Sequence, residues 1–255
     1  MSDPLKKEVG KYYETTCMKC GFQEAPVKYF LWVKTQACQG CNENIDLFPG
    51  YILAKNQRHP KYVLICPECG QLNEVDDQKN PGTCQACKTL LAEKGPAQRG
   101  RCKCSCCGSD NIYAQPESGP PRHRMFAIEY HCPSCKPNHR GRFFKNPDND
   151  DLAKYADAKA VLEKLKTIYI PEAKIPPGDE SSRLHRWGYR HYREMFNERQ
   201  LLGLELSCQH ITKLNDEPVR NALATNLSDL LRYQNMVCRY DTMALKSLDI
   251  FSNIF

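Results

Sequence analysis

Six C-x-x-C pairs occupy the first 135 residues of this chain. A C-x-x-C turn directs two sulfur atoms toward one point, and four thiolates complete the tetrahedral shell that Zn²⁺ prefers. The repetition of the pair favours metal binding over redox chemistry, and four protein ligands leave no open position for a catalytic water. We therefore expect three structural zinc ions. The twelve candidate ligands are Cys17, Cys20, Cys38, Cys41, Cys66, Cys69, Cys84, Cys87, Cys104, Cys107, Cys132 and Cys135.

Pairs that neighbour one another in the sequence predict three zinc ribbons. The first would join Cys17/Cys20 to Cys38/Cys41, the second Cys66/Cys69 to Cys84/Cys87, and the third Cys104/Cys107 to Cys132/Cys135, with connections of 17, 14 and 24 residues. Such spacings are typical of ribbons. The third set leaves alternatives open, because Cys102 or Cys106 could replace a ligand and three histidines lie nearby: His123, His131 and His139.

Composition limits the class of protein. The 255 residues include 16 cysteines and carry a formal charge of +6. Each tetrathiolate zinc site contributes about −2, so three sites bring the chain near neutrality and its total charge does not indicate nucleic acid. No apolar run approaches the roughly 20 residues that span a bilayer, and the N-terminus has no apolar export segment. These features predict a cytoplasmic protein without a membrane partner, in which cysteines bind metal and do not form disulfides.

Basic residues are concentrated in two stretches. Residues 94–145 hold ten Lys and Arg against three acidic residues, and Arg122, Arg124, Arg140 and Arg142 are candidate contacts to DNA phosphate. In the second stretch, Arg183, Arg186, Arg190 and Arg193 follow a 3-4-3 spacing that would align them on one helix face, with aromatic residues between them. Arginine binds phosphate and aromatic rings stack on bases. An interdomain helix with ion-paired arginines explains the second pattern equally well.

The secondary structure that the sequence predicts around these residues differs between the two halves of the chain. Short β-type runs at 27–33, 51–53, 62–65 and 125–130 adjoin the cysteine pairs. Helical periodicity begins after Asp148, and further helices are expected at roughly 184–213 and 216–240. The sequence predicts an α+β protein with zinc ribbons at 1–45, 46–95 and 96–146 and a helical region at 147–255. The apolar end at 250–255 is expected to pack against another protein surface.

Two long segments resemble a known family. The chain is similar to the zinc-ribbon-containing adenine-specific DNA methylases in two segments, LHRWGYRHYREMFNERQLLGLEL at 184–206 and LSDLLRYQNMVCRYD at 227–241. Shorter upstream motifs also resemble that family: FPGYILAK, CPECG, KGPAQRGR, FAIEYHC and IPPGDE. The resemblance covers nearly the whole chain. It implies a central region that engages DNA within an enzyme that uses S-adenosylmethionine.

The chain departs from that family in its chemistry. It contains no G-x-G for close approach to a cofactor, and its two Pro-Pro sites are Gly-Pro-Pro-Arg and Ile-Pro-Pro-Gly, unlike the Asp-Pro-Pro-Tyr type of catalytic motif. No catalytic residue is therefore assigned. We expect a zinc-binding, DNA-engaging part of an adenine-specific methyltransferase of the restriction or phage-defence type. It would need S-adenosylmethionine only when completed by a catalytic partner chain or by flanking domains. The alternative is a free-standing zinc-ribbon adaptor in protein assembly.

Overall fold

The computed structural model describes residues 4–250, so most of the predicted apolar end lies outside the described range. The α+β class is confirmed, since small antiparallel sheets precede a helical layer. The strands are β1 (Glu14–Thr15), β2 (Ala25–Ala37), β3 (Asn44–Asp46), β4 (Ile52–Ala54), β5 (Tyr62–Ile65), β6 (Leu72–Val75), β7 (Ala97–Gln98), β8 (Arg101–Lys103), β9 (Asp110–Ile112), β10 (Arg122–His131), β11 (Arg142–Lys145), β12 (Tyr240–Asp241) and β13 (Lys246–Ser247).

The helices lie mainly in the second half of the chain. They are α1 (Pro4–Val9), α2 (Asn149–Lys164), α3 (Asp179–Arg186), α4 (Glu198–Thr212) and α5 (Glu217–Leu230), with short 3-10 turns at Gly10–Tyr13, Pro116–Ser118, His139–Gly141 and Tyr192–Met195. Within residues 4–250, no helix combines the length and the apolar character needed to cross a bilayer.

The long strands β2 and β10 form the centre of the fold. They pair antiparallel, β1 and β3 pair with β2, and β11 pairs with the other edge of β10. Leu31 lies opposite Ala127, and both are buried in the main apolar core. Two separate three-stranded sheets complete the β structure: the Cys66/Cys69 pair connects β5 to β6 in the sheet β4–β5–β6, and the Cys104/Cys107 pair connects β8 to β9 in the sheet β7–β8–β9.

A hairpin near the end of the described chain closes over the central sheet. Strands β12 and β13 pair with each other, and Leu245 between them is fully buried in the main core. The hydroxyl of Tyr240 donates to the buried carboxylate of Glu129 over 2.5 Å. Lys28 Nζ donates to the Leu245 carbonyl over 3.1 Å. This hairpin extends the core beyond what the sequence predicted.

Helix α2 begins where the sequence predicted. Asp148 forms a capping box with Asp151, each side chain accepting from the other residue's backbone N–H. The buried ammonium of Lys145 lies 2.9 Å from the Asp151 carboxylate and donates to the Thr15 hydroxyl over 3.1 Å. The cap of α2 is thereby fastened to the end of β11 and to β1. Helix α4 packs along α2 and places the buried guanidinium of Arg199 3.3 Å from the ring centre of Phe30.

The predicted helix over roughly 184–213 is wrong, because the chain breaks after Arg186. Gly188 has φ +84°, and a Cβ there would lie 2.2 Å from the Gly119 carbonyl oxygen. Only glycine combines this backbone conformation with so close an approach. Helix α4 starts anew at Asn197, whose side chain caps the Gln200 N–H. The predicted alignment of four arginines on one helix face is therefore wrong as well.

The predicted helix at 216–240 starts as expected and ends early. Asp216 caps α5 by accepting from the Val219 N–H, but the helix stops at Leu230. The buried Asn235 then turns the chain: its amide donates to the Leu231 carbonyl and its oxygen accepts from the backbone N–H of Val237. A polar side chain that satisfies local backbone groups competes with a helix in this way.

Candidate metal centres

All twelve predicted cysteine ligands meet in three groups of four. Within each group the sulfur atoms lie within 4.8 Å of one another. Cluster A contains Cys17, Cys20, Cys132 and Cys135, cluster B contains Cys38, Cys41, Cys104 and Cys107, and cluster C contains Cys66, Cys69, Cys84 and Cys87. Each cluster could hold one zinc ion, so the predicted number of sites agrees with the structure.

The predicted pairing is correct only for cluster C. The expected sets Cys17/Cys20 with Cys38/Cys41 and Cys104/Cys107 with Cys132/Cys135 are wrong, because the first and last pairs join each other and the two inner pairs join each other. Clusters A and B are thus nested in the sequence, with cluster C between the halves of cluster B.

The central sheet explains this nesting. The first pair precedes β2 and the last pair follows β10, and antiparallel strands bring the start of one to the end of the other. Val27 near the start of β2 lies opposite Tyr130 near the end of β10, whereas Thr35 lies opposite Arg122 at the other end. Cluster A therefore forms at one end of the strand pair and cluster B beyond the other. The predicted domain boundaries at 45/46 and 95/96 stay a prediction. Strand β2 lies before both boundaries and β10 after both, and the two strands pair with each other.

Five of the six C-x-x-C turns, here called knuckles, share one backbone geometry. In each, the N–H of the residue four positions after the first cysteine donates to that cysteine's carbonyl. That residue has positive φ at all five knuckles: Gly21, Asn42, Gly70, Lys88 and Gly108. Glycine and asparagine tolerate this conformation best, so Gly70 and Gly108 lie where the turn requires them. The Cys132 knuckle differs, with the Cys135 N–H donating to the Cys132 carbonyl over 3.2 Å.

The sulfur separations fit a tetrahedral zinc site. Zn–S bonds of about 2.3 Å at tetrahedral angles place neighbouring sulfurs about 3.8 Å apart. Sulfur atoms that face each other from the two halves of a cluster are 4.0 and 3.5 Å apart in A, 3.6 and 3.7 Å apart in B, and 3.4 and 3.7 Å apart in C. Disulfide sulfurs are about 2.05 Å apart, so the clusters do not have disulfide geometry.

Two buried asparagines support clusters B and C in the same way. Asn111 donates its amide to Cys38 Sγ over 3.6 Å and accepts from the next backbone N–H, that of Gln39, over 2.6 Å. Asn73 donates to Cys84 Sγ over 3.6 Å and accepts from the Gln85 N–H over 2.9 Å. Hydrogen bonds from outside the ligand shell orient thiolates. Neither asparagine was predicted from the sequence, although C-G-x-x-N occurs at 69–73 and again at 107–111.

The thiols of a cluster differ in acidity. In cluster B the hydroxyl of Ser109 contributes most to lowering the pKa of Cys38 to about 5; burial opposes this shift and backbone N–H groups add to it. In cluster A contact with the Cys20 thiol and burial raise the pKa of Cys135 to about 12. Burial acts to raise the pKa of Cys17, but backbone N–H groups lower it to about 6. Four thiols at these distances do not all ionise unaided, and a divalent cation would stabilise the four thiolates together.

The alternative ligands considered for the third site lie outside the clusters. Cys102 is buried near cluster B and Cys106 is exposed, yet neither belongs to a group of four. The three nearby histidines are also not among the grouped residues. His139 instead stacks on His59 with ring centres 5.3 Å apart.

Of the arginines predicted in the first basic stretch, two are engaged within the protein. Arg142 lies 3.1 Å from the buried carboxylate of Glu129, and the exposed Arg124 forms an ion pair with Asp46. Arg122 and Arg140 are exposed, and neither forms an ion pair with another residue of 4–250.

The arginines of the second stretch are divided by the break at Gly188. Arg186 is exposed at the end of α3. Arg190 is also exposed, and its guanidinium donates to the carbonyls of His185 and Tyr189. Arg193 pairs with Glu172. Contact of any of these side chains with DNA stays a prediction.

Trp187 joins the helical layer to cluster B. Its ring packs against the apolar group that contains Cys38 and Cys104, and it stacks on Tyr113 with ring centres 5.7 Å apart. The adjacent Tyr189 is buried beneath α3 with Ile175 and Met195. Trp187 and Tyr189 are therefore packed within the protein, whereas Tyr192 of the same stretch is 42% exposed.

Comparison with known proteins gives no relative: no family model, no curated protein and no solved structure matches this chain.

Proposed function

We propose that each cluster binds a structural zinc ion and that cluster C is a zinc ribbon. Cluster C has local ligands, and its β4–β5–β6 sheet is formed by the chain on both sides of the Cys66 knuckle. Clusters A and B instead join distant knuckles. Four sulfur ligands complete each shell, which favours a structural over a catalytic role.

We further propose that the chain is the DNA-engaging region of an adenine-specific DNA methyltransferase of the restriction or phage-defence type. S-adenosylmethionine and the catalytic motif would come from a partner chain or from flanking sequence. The observation that carries this proposal is the junction at Trp187. The LHRWGYRHYREM segment, which bears the most specific resemblance, packs on cluster B. The segment at 184–206 and cluster B are thus in contact within one folded unit.

The exposed arginines indicate which side chains would contact phosphate. Arg122, Arg140 and Arg186 are exposed and form no ion pair with another described residue, so they are open to DNA without the loss of an internal contact. Arg142 is a poor candidate because its withdrawal would leave the buried Glu129 without that charge partner. The proposed DNA surface is therefore smaller than the sequence alone indicated.

DNA binding tests this proposal most directly. The zinc-loaded chain is titrated against fluorescein-labelled duplex DNA at several salt concentrations, because each phosphate contact contributes about 0.9 to the slope of log K against log salt. We expect a steep slope that the triple variant Arg122→Gln, Arg140→Gln, Arg186→Gln lowers by roughly 2 to 3.

The matched control removes three exposed lysines: Lys79→Gln, Lys166→Gln and Lys213→Gln. It should retain most of the slope. No DNA binding at low salt, or equal slopes for both triple variants, argues against the proposal. Methylation of DNA by the purified chain with S-adenosylmethionine would overturn the assignment of catalysis to other sequence.

An exposed apolar helix face favours the adaptor as a second candidate. Val219, Leu223 and Leu230 on α5 are 46%, 41% and 45% exposed. A mainly apolar cavity of about 570 Å³ adjoins α5 at Leu227 and Leu231. Exposed apolar surfaces of this kind mark protein contacts. Stable complex formation without DNA binding would favour the adaptor.

A further inference from the structure

The β7–β8 hairpin has one buried face and one exposed, basic face. Ala97 on β7 pairs with Cys102 on β8, and both are buried in the apolar group around cluster B. Arg101 and Lys103 flank Cys102 on β8, and both are exposed. Side chains alternate between the two faces of a strand, so these basic residues point away from the cluster. The hairpin therefore covers cluster B with one face and presents positive charge on the other.

The turn of the hairpin adds a third basic side chain. Arg99 and Gly100 connect β7 to β8, and both have positive φ, +49° and +80°. Two-residue hairpin turns with positive φ at both positions favour asparagine and glycine, because most side chains are strained in this conformation. Gly100 follows this preference and the exposed Arg99 does not. The turn alone therefore does not explain an arginine at position 99.

The three basic groups of the hairpin are not engaged within the described chain. Among residues 4–250, the side chains of Arg99, Arg101 and Lys103 form no hydrogen bond and no ion pair. Asp110 is the one acidic residue of the three strands, and it lies opposite Lys103. Ile112 lies opposite Arg101 and is 60% exposed. Three positive charges against one negative charge leave this surface basic and open to an external anion.

The hairpin adjoins part of the DNA surface proposed above. The Gly100 carbonyl accepts from the Tyr113 N–H over 3.0 Å. The Tyr113 ring stacks on Trp187, which directly follows the exposed Arg186. The turn of the hairpin is thus connected by two contacts to the segment that carries Arg186.

We propose that the β7–β8 hairpin is a DNA-binding element in which Arg99, Arg101 and Lys103 contact the phosphates of a duplex. Basic side chains without internal partners bind the DNA backbone without the loss of another contact. The major groove is wide enough to admit a two-stranded β-ribbon. This inference rests on the proposed function, and it adds a contact element to the arginines assigned there.

Duplex titration of the zinc-loaded full chain tests the hairpin. The triple variant Arg99→Asn, Arg101→Gln, Lys103→Gln is titrated against fluorescein-labelled duplex DNA at several salt concentrations. Each lost phosphate contact lowers the slope of log K against log salt by about 0.9, so we expect a decrease of roughly 2 to 3. Binding at about 0.1 M salt should weaken at least tenfold. Asparagine tolerates positive φ, so three zinc ions should remain bound in native mass spectrometry.

Two further variants serve as controls of opposite sign. The triple variant Lys79→Gln, Lys166→Gln, Lys213→Gln removes the same charge from exposed positions elsewhere and should retain most of the slope. Asp110→Asn removes the negative charge opposite Lys103. It should tighten duplex binding by roughly twofold to fivefold, the usual size of an exposed charge interaction. If the hairpin triple variant loses zinc, Asp110→Asn decides, and an unchanged affinity overturns the hairpin site.

The outcomes separate this inference from the proposed function. If the wild-type chain does not bind duplex DNA at low salt, the proposed function fails and the hairpin site fails with it. If the wild type binds and both triple variants have the same slope, the hairpin site is overturned while DNA binding elsewhere stands. A labelled polyglutamate peptide is the second probe. If the wild type binds this peptide as tightly as the duplex, and the hairpin variant weakens both equally, the surface recognises acidic protein and the DNA assignment is overturned.

Discussion

Cys20 Sγ and Cys132 Sγ lie 3.5 Å apart although their residues are 112 positions apart in the chain. Their cluster closes the end of the β2–β10 strand pair, and cluster B closes the region beyond its other end. Metal in these two sites would fix long-range contacts that a chain otherwise forms at a large entropic cost. Zinc binding and folding of the central sheet should therefore be coupled.

The nested pairing predicts how zinc is lost from variants. The wild-type chain should retain three zinc ions in native mass spectrometry, and Cys17→Ser with Cys20→Ser should retain two. Adding Cys132→Ser and Cys135→Ser should still leave two, because all four ligands belong to cluster A. If neighbouring pairs shared a zinc instead, the quadruple variant would lose two ions and retain one.

Removal of zinc should have unequal effects on the sheets. Chelation is expected to expose the backbone amides of β2 and β10 to hydrogen exchange, since clusters A and B hold both ends of this pair. Cluster C closes only the local sheet of β4, β5 and β6, so Cys66→Ser should leave protection of β10 largely intact while Cys132→Ser removes it. Equal loss of protection at β10 in both variants would contradict the nested arrangement.

The buried asparagines should raise zinc affinity. Asn111→Ala removes a hydrogen bond to Cys38 Sγ, and Asn73→Ala removes one to Cys84 Sγ. Loss of such outer contacts typically weakens metal binding by about 10-fold to 100-fold. Competition with a chromophoric chelator should show one weakened site in each variant. Asn80→Ala is the control, because Asn80 is exposed and bonds only Asp77 among the described side chains.

The local sequence was sufficient to predict which cysteines are ligands, but not which cysteine pairs share a metal ion. Each C-x-x-C turn is determined within six residues, so all twelve ligands could be predicted. The pairing depends on which strands lie side by side, and β10 pairs with β2 across about ninety residues. Sequence proximity suggested neighbouring pairs and was correct only for cluster C, whose two pairs lie close together beside the local sheet of β4, β5 and β6.

The helical layer shows a similar limit. The start of α2 after Asp148 follows from local chemistry and was predicted, whereas the break at Gly188 depends on the backbone of Gly119, a residue of another segment. The periodicity of arginines therefore suggested a continuous helix that a distant contact prevents. The hairpin at Tyr240 was missed for the same reason, since its partner Glu129 is remote in sequence.

Gly188 should be intolerant of any side chain. Gly188→Ala would require a Cβ at positive φ and 2.2 Å from the Gly119 carbonyl oxygen, which forces the Trp187 junction apart. We expect a loss of about 3 kcal/mol or more in the free energy of unfolding, measured by urea denaturation of the zinc-loaded chain. Gly203→Ala is the matched control. It lies within α4 with 3.5 Å to the Tyr13 hydroxyl, so it should be neutral or stabilising by up to about 1 kcal/mol. A loss at Gly188 no larger than at Gly203 would contradict the tight junction.

The imidazole of His123 should resist protonation in the folded chain. Its pKa is lowered to about 4 by burial and by the charge of Lys34, below the value of about 6.5 for an unfolded chain. The folded state thus binds fewer protons, and the contribution of this group to stability decreases as the pH falls from about 6.5 toward 4. The imidazole NMR signal should remain that of the neutral ring between pH 7 and 5. Lys34→Met removes the positive neighbour and should raise the pKa, whereas Lys213→Gln should not. A wild-type midpoint near pH 6.5 would show that His123 is not shielded from water. No upward shift of the pKa in Lys34→Met would show that His123 is not coupled to Lys34.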